Sequence, residues 1–263
     1  MPDLQDFFEL CESNKSSLEE RYERCRRKCD PSLHDEFIST IAMAKISINR
    51  RPASLQRLLS EGKLTNVHES PNEPNAPRKA FDSLFTQGKT FIYGALNPGG
   101  PGIGIYGCFC VVIDLSRAPR HGYVMRDSLK FYMDRDAALS DLPKFDLQRL
   151  GQDVSPESHK VHLATIKHHD SLVDTVGSRS MTFAQLLCSN SEYIEAIMEG
   201  PIRKEHIDIV LAPDWLKLAA VDGDRQKRDL CVYLSEKVWE IVDAGKKAGF
   251  LIGLYELDIE NLK

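Results

Sequence analysis

No apolar run in this chain approaches the roughly 18 residues that a membrane-crossing helix requires, so no spanning segment is expected. The N-terminus, MPDLQDFFELCESNKSS, lacks a basic start followed by an apolar core, so no secretory signal peptide is expected either. Positive charge is not in excess. With 34 Lys and Arg against 39 Asp and Glu the net charge is −5, which disfavours a general nucleic-acid binder. Internal repeats and low-complexity tracts are absent. The seven cysteines lack the spacing of a disulfide framework. Cys108 and Cys110 fall in an apolar run, and Cys25 and Cys29 are spaced for a helix, so buried reduced thiols in a cytosolic setting are expected rather than a zinc site. His159, His162, His168 and His169 cluster, but no Cys, Asp or Glu completes a ligand set at recognisable spacing, so no metal is expected. The glycine-rich segment 97–102 matches neither GxxxxGK[ST] nor GxGxxG leading into a helix, which excludes both nucleotide motifs.

What remains is an ordinary globular composition, 42% hydrophobic and 28% charged over 263 residues. That length suits one large domain or two small ones. Residues 3–45 read as helices. Leu4, Phe7, Phe8 and Cys11 recur at helical spacing, and a charged helix from about Leu18 to Cys29 is followed by another over 33–44. The charged run Glu19 to Lys28 is either a solvated face or a docking surface. From Lys45 the period becomes that of a strand, Ile46 to Arg51, and Pro52 leads into a helix closed by Gly62. A short strand over 64–70, a helix over 78–85, a strand over 89–93 and a long buried strand over 105–115 are expected next. Residues 133–187 are polar and mixed. A helix over 225–248 and a closing strand over 250–257 complete the chain.

The stretch Ser191 to Pro213 stands out. Tyr193 to Met198 alternates like a strand, breaks at Gly200-Pro201, and is followed by a second apolar run, Ile207 to Leu211. Glu195 is its misfit. A carboxylate inside a buried strand is costly unless it is hydrogen-bonded or put to use. The alternative is an edge strand with Glu195 pointing to solvent. Asp127-Ser128, after the strand-like Tyr123 to Met125, presents a similar choice between a helix cap and a working carboxylate.

Three segments taken together, Tyr93-Gly94-Ala95-Leu96-Asn97, Arg126-Asp127-Ser128, and Tyr193-Ile194-Glu195-Ala196 with Gly200-Pro201, resemble the CteC-like group of PARP-like bacterial effector ADP-ribosyltransferases. Its members carry YGALN, DS and YIEAQ-HGP segments in this order, and the likeness covers about residues 45–213. The resemblance implies an α+β fold, with a PARP-like core of two packed antiparallel sheets over 46–263, a polar insertion around 133–187, and an N-terminal helical partner-binding region over 1–45. It implies NAD as substrate, Glu195 and Asp127 as the acidic pair, Tyr93 stacking on nicotinamide, and Arg51 holding the cofactor. Glu69, Ser70 and Asn97 fall at further cofactor positions. It also implies mono-ADP-ribosylation of a protein hydroxyl, a threonine of host ubiquitin, so that ubiquitination is blocked. Delivery to the host cytoplasm follows from the same likeness. Ile197 stands where relatives often have Gln, Glu199 where many have His, and Tyr106-Gly107 where they have Phe-Gly; these departures bear on the acceptor more than on the chemistry. An NAD glycohydrolase and a non-catalytic protein-binding module on the same fold are the alternatives.

The chemistry fits the residue types independently of the likeness. Breaking the nicotinamide–ribose bond builds positive charge on the ribose, which a nearby carboxylate stabilises. A second carboxylate can take the proton of an attacking hydroxyl.

Overall fold

A computed structural model describes residues 5–64, 66, 76–133, 144–173, 181–215, 217 and 225–256. The helices are α1 (Phe7–Ser13), α2 (Lys15–Arg26), α3 (Pro31–Met43), α4 (Pro52–Glu61), α5 (Ala76–Asp82), α6 (Ser128–Tyr132), α7 (Leu147–Gln152), α8 (Lys160–Lys167), α9 (His169–Val173), α10 (Phe183–Leu187) and α11 (Arg225–Lys247). The strands are β1 (Lys45–Arg50), β2 (Lys63–Leu64), β3 (Phe91–Asn97), β4 (Phe109–Ile113), β5 (His121–Val124), β6 (Val154–Pro156), β7 (Glu195–Glu199), β8 (Ile202–Arg203), β9 (Ile207–Pro213) and β10 (Ile252–Tyr255). Local chemistry marks the helix starts. The Asp6 carboxylate accepts from the amides of Phe8 (2.8 Å) and Glu9 (3.1 Å), and Asp30 accepts from Leu33 N–H at 2.9 Å ahead of Pro31 in the first turn.

Mixed α and β structure is present, as expected, but the sheet arrangement differs from two packed antiparallel sheets. Among the described residues eight strands hydrogen-bond in one order, β10-β9-β4-β1-β3-β7-β5-β6, and the second sheet is only the pair β2–β8. The reason lies in β1, which pairs with both β3 and β4. Its link to β3 is narrow: Lys45↔Asn97, Ile46↔Leu96 and Ser47↔Ala95 only. Its register with β4 runs on from Ile46 to Arg50. Pairing is antiparallel throughout except at the β9–β10 edge, which is parallel.

The two apolar runs on either side of Gly200-Pro201 are not sheet neighbours. Strand β7 lies between β3 and β5, whereas β9 lies between β4 and β10. The expected long strand over 105–115 is also shorter than its apolar run. Gly104–Tyr106 forms a 3-10 turn and only Phe109–Ile113 enters the sheet, where all five residues are buried.

The pleat decides what each face carries. Phe91, Tyr93 and Ala95 pair with Glu199, Ile197 and Glu195, and therefore share a face. On that face Phe7, Phe8 and Cys11 of α1 pack with Phe81, Phe85, Phe91, Val124 and Ile197. The opposite face holds the larger core, including Leu18, Phe37, Ile41, Ala196, Met198 and Leu163. The N-terminal helices therefore cover both faces of the sheet and belong to its core. Within 133–187, residues 154–156 are likewise the sheet's edge strand rather than part of a separate polar insertion.

This burial makes a strong expectation. Deleting residues 1–30 removes Phe7, Phe8, Cys11 and Leu18, each no more than 5% exposed. At about 2 kcal/mol for each large apolar side chain, the loss rivals a domain's net stability of about 5–15 kcal/mol. The deletion is expected to abolish the cooperative thermal transition followed by circular dichroism. A retained transition would show these helices to be dispensable. No helix among the described residues is long and apolar enough to cross a membrane.

Candidate active site

Glu195 opens β7, with Ala95 of β3 on one side and Val124 of β5 on the other. It is 3% exposed, so the edge-strand alternative is ruled out. Its carboxylate is fully engaged. The Arg78 guanidinium donates to Oε1 at 3.3 Å, and the Ser128 amide donates to Oε2 at 2.9 Å. Arg78 also donates to the Ser128 hydroxyl at 2.6 Å. Burial lifts the Glu195 carboxyl above its ordinary range, while the Arg78 charge and the Ser128 amide pull it back.

Tyr93 stands on the same face, opposite Ile197. The Arg78 guanidinium lies over its ring, 3.7 Å from the centroid. The Tyr93 hydroxyl donates to Asp82, which is buried on the same helix, α5, as Arg78. Burial pushes the Tyr93 phenol well above its ordinary value.

Asp127 adjoins this group through Ser128, and its two oxygens have different partners. Oδ1 accepts from the amides of Leu129 (3.0 Å) and Lys130 (2.8 Å), capping α6. Oδ2 accepts from the Tyr193 hydroxyl at 2.6 Å and the Tyr106 hydroxyl at 3.1 Å. The two phenol oxygens are themselves 2.8 Å apart. Each phenol has one proton, so Tyr193 gives its proton to Asp127 at the shorter contact, and Tyr106 divides its own between Tyr193 and Asp127. Burial opposes ionisation of Asp127, but the hydrogen bonds from Tyr193 and Lys130, with the nearby Arg78 charge, hold its carboxyl below the usual range. Burial lifts the Tyr106 phenol to about 12, so it remains a donor at neutral pH.

The loop that delivers Tyr106 is pinned by a residue with no obvious sequence signal. Asn49 of β1 donates to the carbonyls of Pro101 (2.8 Å) and Gly107 (3.0 Å) and accepts from Ile103 N–H at 2.8 Å. The close approach demands glycine at two points with positive φ. A Cβ on Gly102 would stand 2.3 Å from Asn49 Oδ1, and one on Gly107 would stand 2.2 Å from the Arg50 carbonyl carbon. The Lys167 amine donates to the Tyr193 carbonyl at 2.6 Å, and burial lowers its pKa to about 7.

The other expected residues are placed differently. Arg51 is exposed at the start of α4, beyond the end of β1, and its side chain makes no capping bond there. Its backbone abuts Gly107, at the edge of the loop that carries Tyr106. Asn97 is buried at the end of β3, and its side chain orders the glycine loop by accepting from Gly99 N–H at 2.8 Å and donating to the Gly100 carbonyl at 3.2 Å. Glu69 and Ser70 lie outside the described residues. Among the described residues no group of His, Cys, Asp or Glu is placed to hold a metal ion.

The cluster thus joins Tyr93, Asp127 and Glu195 of the sequence reading with Arg78, Ser128, Tyr106 and Tyr193. Tyr106 and Tyr193 stood in the quoted motifs without assigned roles. Arg78 sits in a charged, solvent-like stretch whose pattern carries no site signal. Compared with known proteins, the chain matches no protein-family model and no curated protein.

Proposed function

We propose that the chain is an NAD-dependent mono-ADP-ribosyltransferase that modifies a protein hydroxyl. The observation that carries this reading is a buried carboxylate, Glu195, on the same sheet face as an aromatic ring already stacked with a planar cation. A nicotinamide ring in NAD is also a planar cation, so Tyr93 and Glu195 fit that end of the molecule. NAD supplies the glycosidic bond that breaks and a neutral leaving group that departs with the bonding electron pair. Glu195 sets a negative charge where positive charge grows on the ribose. Asp127 accepts the proton of the acceptor hydroxyl as the new carbon–oxygen bond forms. Arg51, with Asn97 and the pair Glu69-Ser70, is proposed to hold the remainder of NAD.

The acceptor in this proposal is a threonine of ubiquitin, and delivery of the protein from a bacterium to a host cytoplasm belongs to the same reading. Partner docking is assigned to the exposed charged face of α2, where Glu20 and Arg24 point outward. The engagement of Glu195 by Arg78 favours one alternative, a non-catalytic binding module in which the ion pair is purely structural.

Incubation with NAD and ubiquitin, followed by intact-mass measurement of ubiquitin, separates the readings. An added ADP-ribose mass is the expected result. Free ADP-ribose alone indicates a glycohydrolase, and neither product indicates a binding module. NAD affinity measured by calorimetry is expected to fall in Tyr93→Ala, by about tenfold for the loss of one stacked aromatic contact, and to a smaller extent in Arg51→Ala. Unchanged affinity in both variants would remove NAD from this face.

A further inference from the structure

Helix α8 packs against both α2 and α3, and histidines crowd this layer. Tyr22 of α2 stacks on His162 of α8, with ring centroids 4.2 Å apart and planes at 28°, and leans over His34 of α3 at 5.8 Å. His159 meets His162 edge-on at 4.8 Å, and His168, just past the end of α8, meets Phe37 of α3 edge-on at 5.8 Å. His34 Nε2, His162 Nδ1, His168 Nε2 and His169 Nε2 are shut off from solvent and have no hydrogen-bond partner among the described residues. His169 reaches the Asp170 carboxylate with Nδ1 at 3.5 Å, so its charged form has a partner. For the other three the geometry favours one state. A neutral imidazole can turn its bare nitrogen to a partnerless position, whereas an imidazolium carries an N–H on both nitrogens. One charged donor would then be buried without an acceptor, which is costly.

We infer that the α2–α3–α8 layer is an acid-sensitive latch, closed while His34, His162 and His168 are neutral and opened locally when they take up protons. The facing charges fit this behaviour. Burial lowers the pKa of His162 and the neighbouring His159 adds to the effect, against Glu19 and Glu23 of α2. His34 is lowered by burial and by Arg26 of α2, against Asp35 on its own helix. Burial lowers His168 to about 3, and the charges of Lys167 and Arg126 reinforce it. In the opened layer each ring returns to its ordinary pKa of about 6.5. The closed layer is therefore fully stable above that value and loses stability as pH falls from it toward each folded value. Each ring that titrates favours the open state by about tenfold for each pH unit in that window. Two neighbouring groups do not share this sign. The His159–Glu19 contact at 2.9 Å is an ion pair only when His159 is protonated, so acid strengthens it. Lys167, lowered to about 7, is charged in both states below that pH. The latch does not depend on the proposed reaction.

Amide hydrogen exchange of the full chain, read by mass spectrometry and corrected for the intrinsic effect of pH, tests the latch at about pH 7.5 and about pH 5.5. His162→Phe and His168→Phe keep a flat ring that cannot titrate. His162→Gln and His168→Gln, smaller and also untitratable, stand in where a Phe variant does not fold, and circular dichroism at neutral pH selects the folded ones. In wild type, acid is expected to lower protection in α2 and α8 by about tenfold for each ring that titrates, while β3 and β7 keep theirs. Each variant is expected to regain about tenfold of that protection at the acid pH. Wild type with no acid loss in α2 and α8 overturns the inference, as do variants that lose as much protection as wild type. Equal loss in β3 and β7 overturns it too, since the opening would then be global unfolding.

Discussion

Glu195→Gln is expected to lower NAD turnover by about a hundredfold to a thousandfold, the usual cost of removing one charge that faces a transition state. The substitution isolates charge from shape. Gln keeps the size and one acceptor oxygen, which can serve the Ser128 amide that donates to Oε2 at 2.9 Å; its amide nitrogen then takes the place of Oε1, which accepts from Arg78 at 3.3 Å, so the ion pair is lost. Loss of this buried ion pair should lower the melting temperature as well, so the rates are compared per folded molecule. The pH profile adds an independent check. Glu195 must be ionised to stabilise positive charge, and burial raises its pKa. Turnover should then rise with pH through a value above the ordinary range of glutamate. Stability should run the other way: a carboxyl whose pKa is raised on folding contributes most below its unfolded pKa and loses that contribution as pH rises through the folded one. An acid limb at the ordinary carboxylate pKa or below would instead point to Asp127, whose pKa is lowered.

Asp127→Asn is expected to cut transfer to a hydroxyl acceptor by about a hundredfold or more, the usual contribution of a general base. The geometry makes this variant informative because the two carboxylate oxygens do different work. Oδ1 caps α6 through Leu129 and Lys130, and Asn caps about as well as Asp. Oδ2 accepts from Tyr193 and Tyr106, and an Asn amide nitrogen in that place can donate to the same phenols but cannot take a proton. Melting temperature should hardly move. If transfer proceeds at the wild-type rate, capping is the whole role of Asp127. Cleavage of NAD with water as acceptor should suffer less, since in the proposed reaction departure of nicotinamide depends chiefly on Glu195.

The parts of this architecture that were legible in the sequence are the local ones. Alternation from Tyr193 to Met198 placed Glu195 in a strand, and the strand-then-Asp-Ser pattern placed Asp127 at a helix start; β7 and α6 have these positions. Alternation states which residues share a face but not which strand lies alongside. Hence β7 and β9, close in sequence, are separated by three intervening strands, and the narrow joint of β1 with β3 had no local sign. The apolar run 105–115 illustrates a second limit. Gly102 and Gly107 turn the chain so that Ile105 and Tyr106 are half exposed and only Phe109–Ile113 enters the sheet. Arg78 was illegible for a third reason. It lies 117 residues before Glu195 and beside Lys79, so nothing nearby distinguishes it from a solvated charge. Only the fold brings its guanidinium onto Tyr93.

The most direct measurement of the central claim is nicotinamide release from NAD, followed by chromatography, for wild type and Glu195→Gln under the same conditions. Wild type is expected to release nicotinamide, faster when a protein acceptor is added, and Glu195→Gln to release it about a hundredfold or more slowly. No release by folded wild-type protein, or equal release by both, would contradict it.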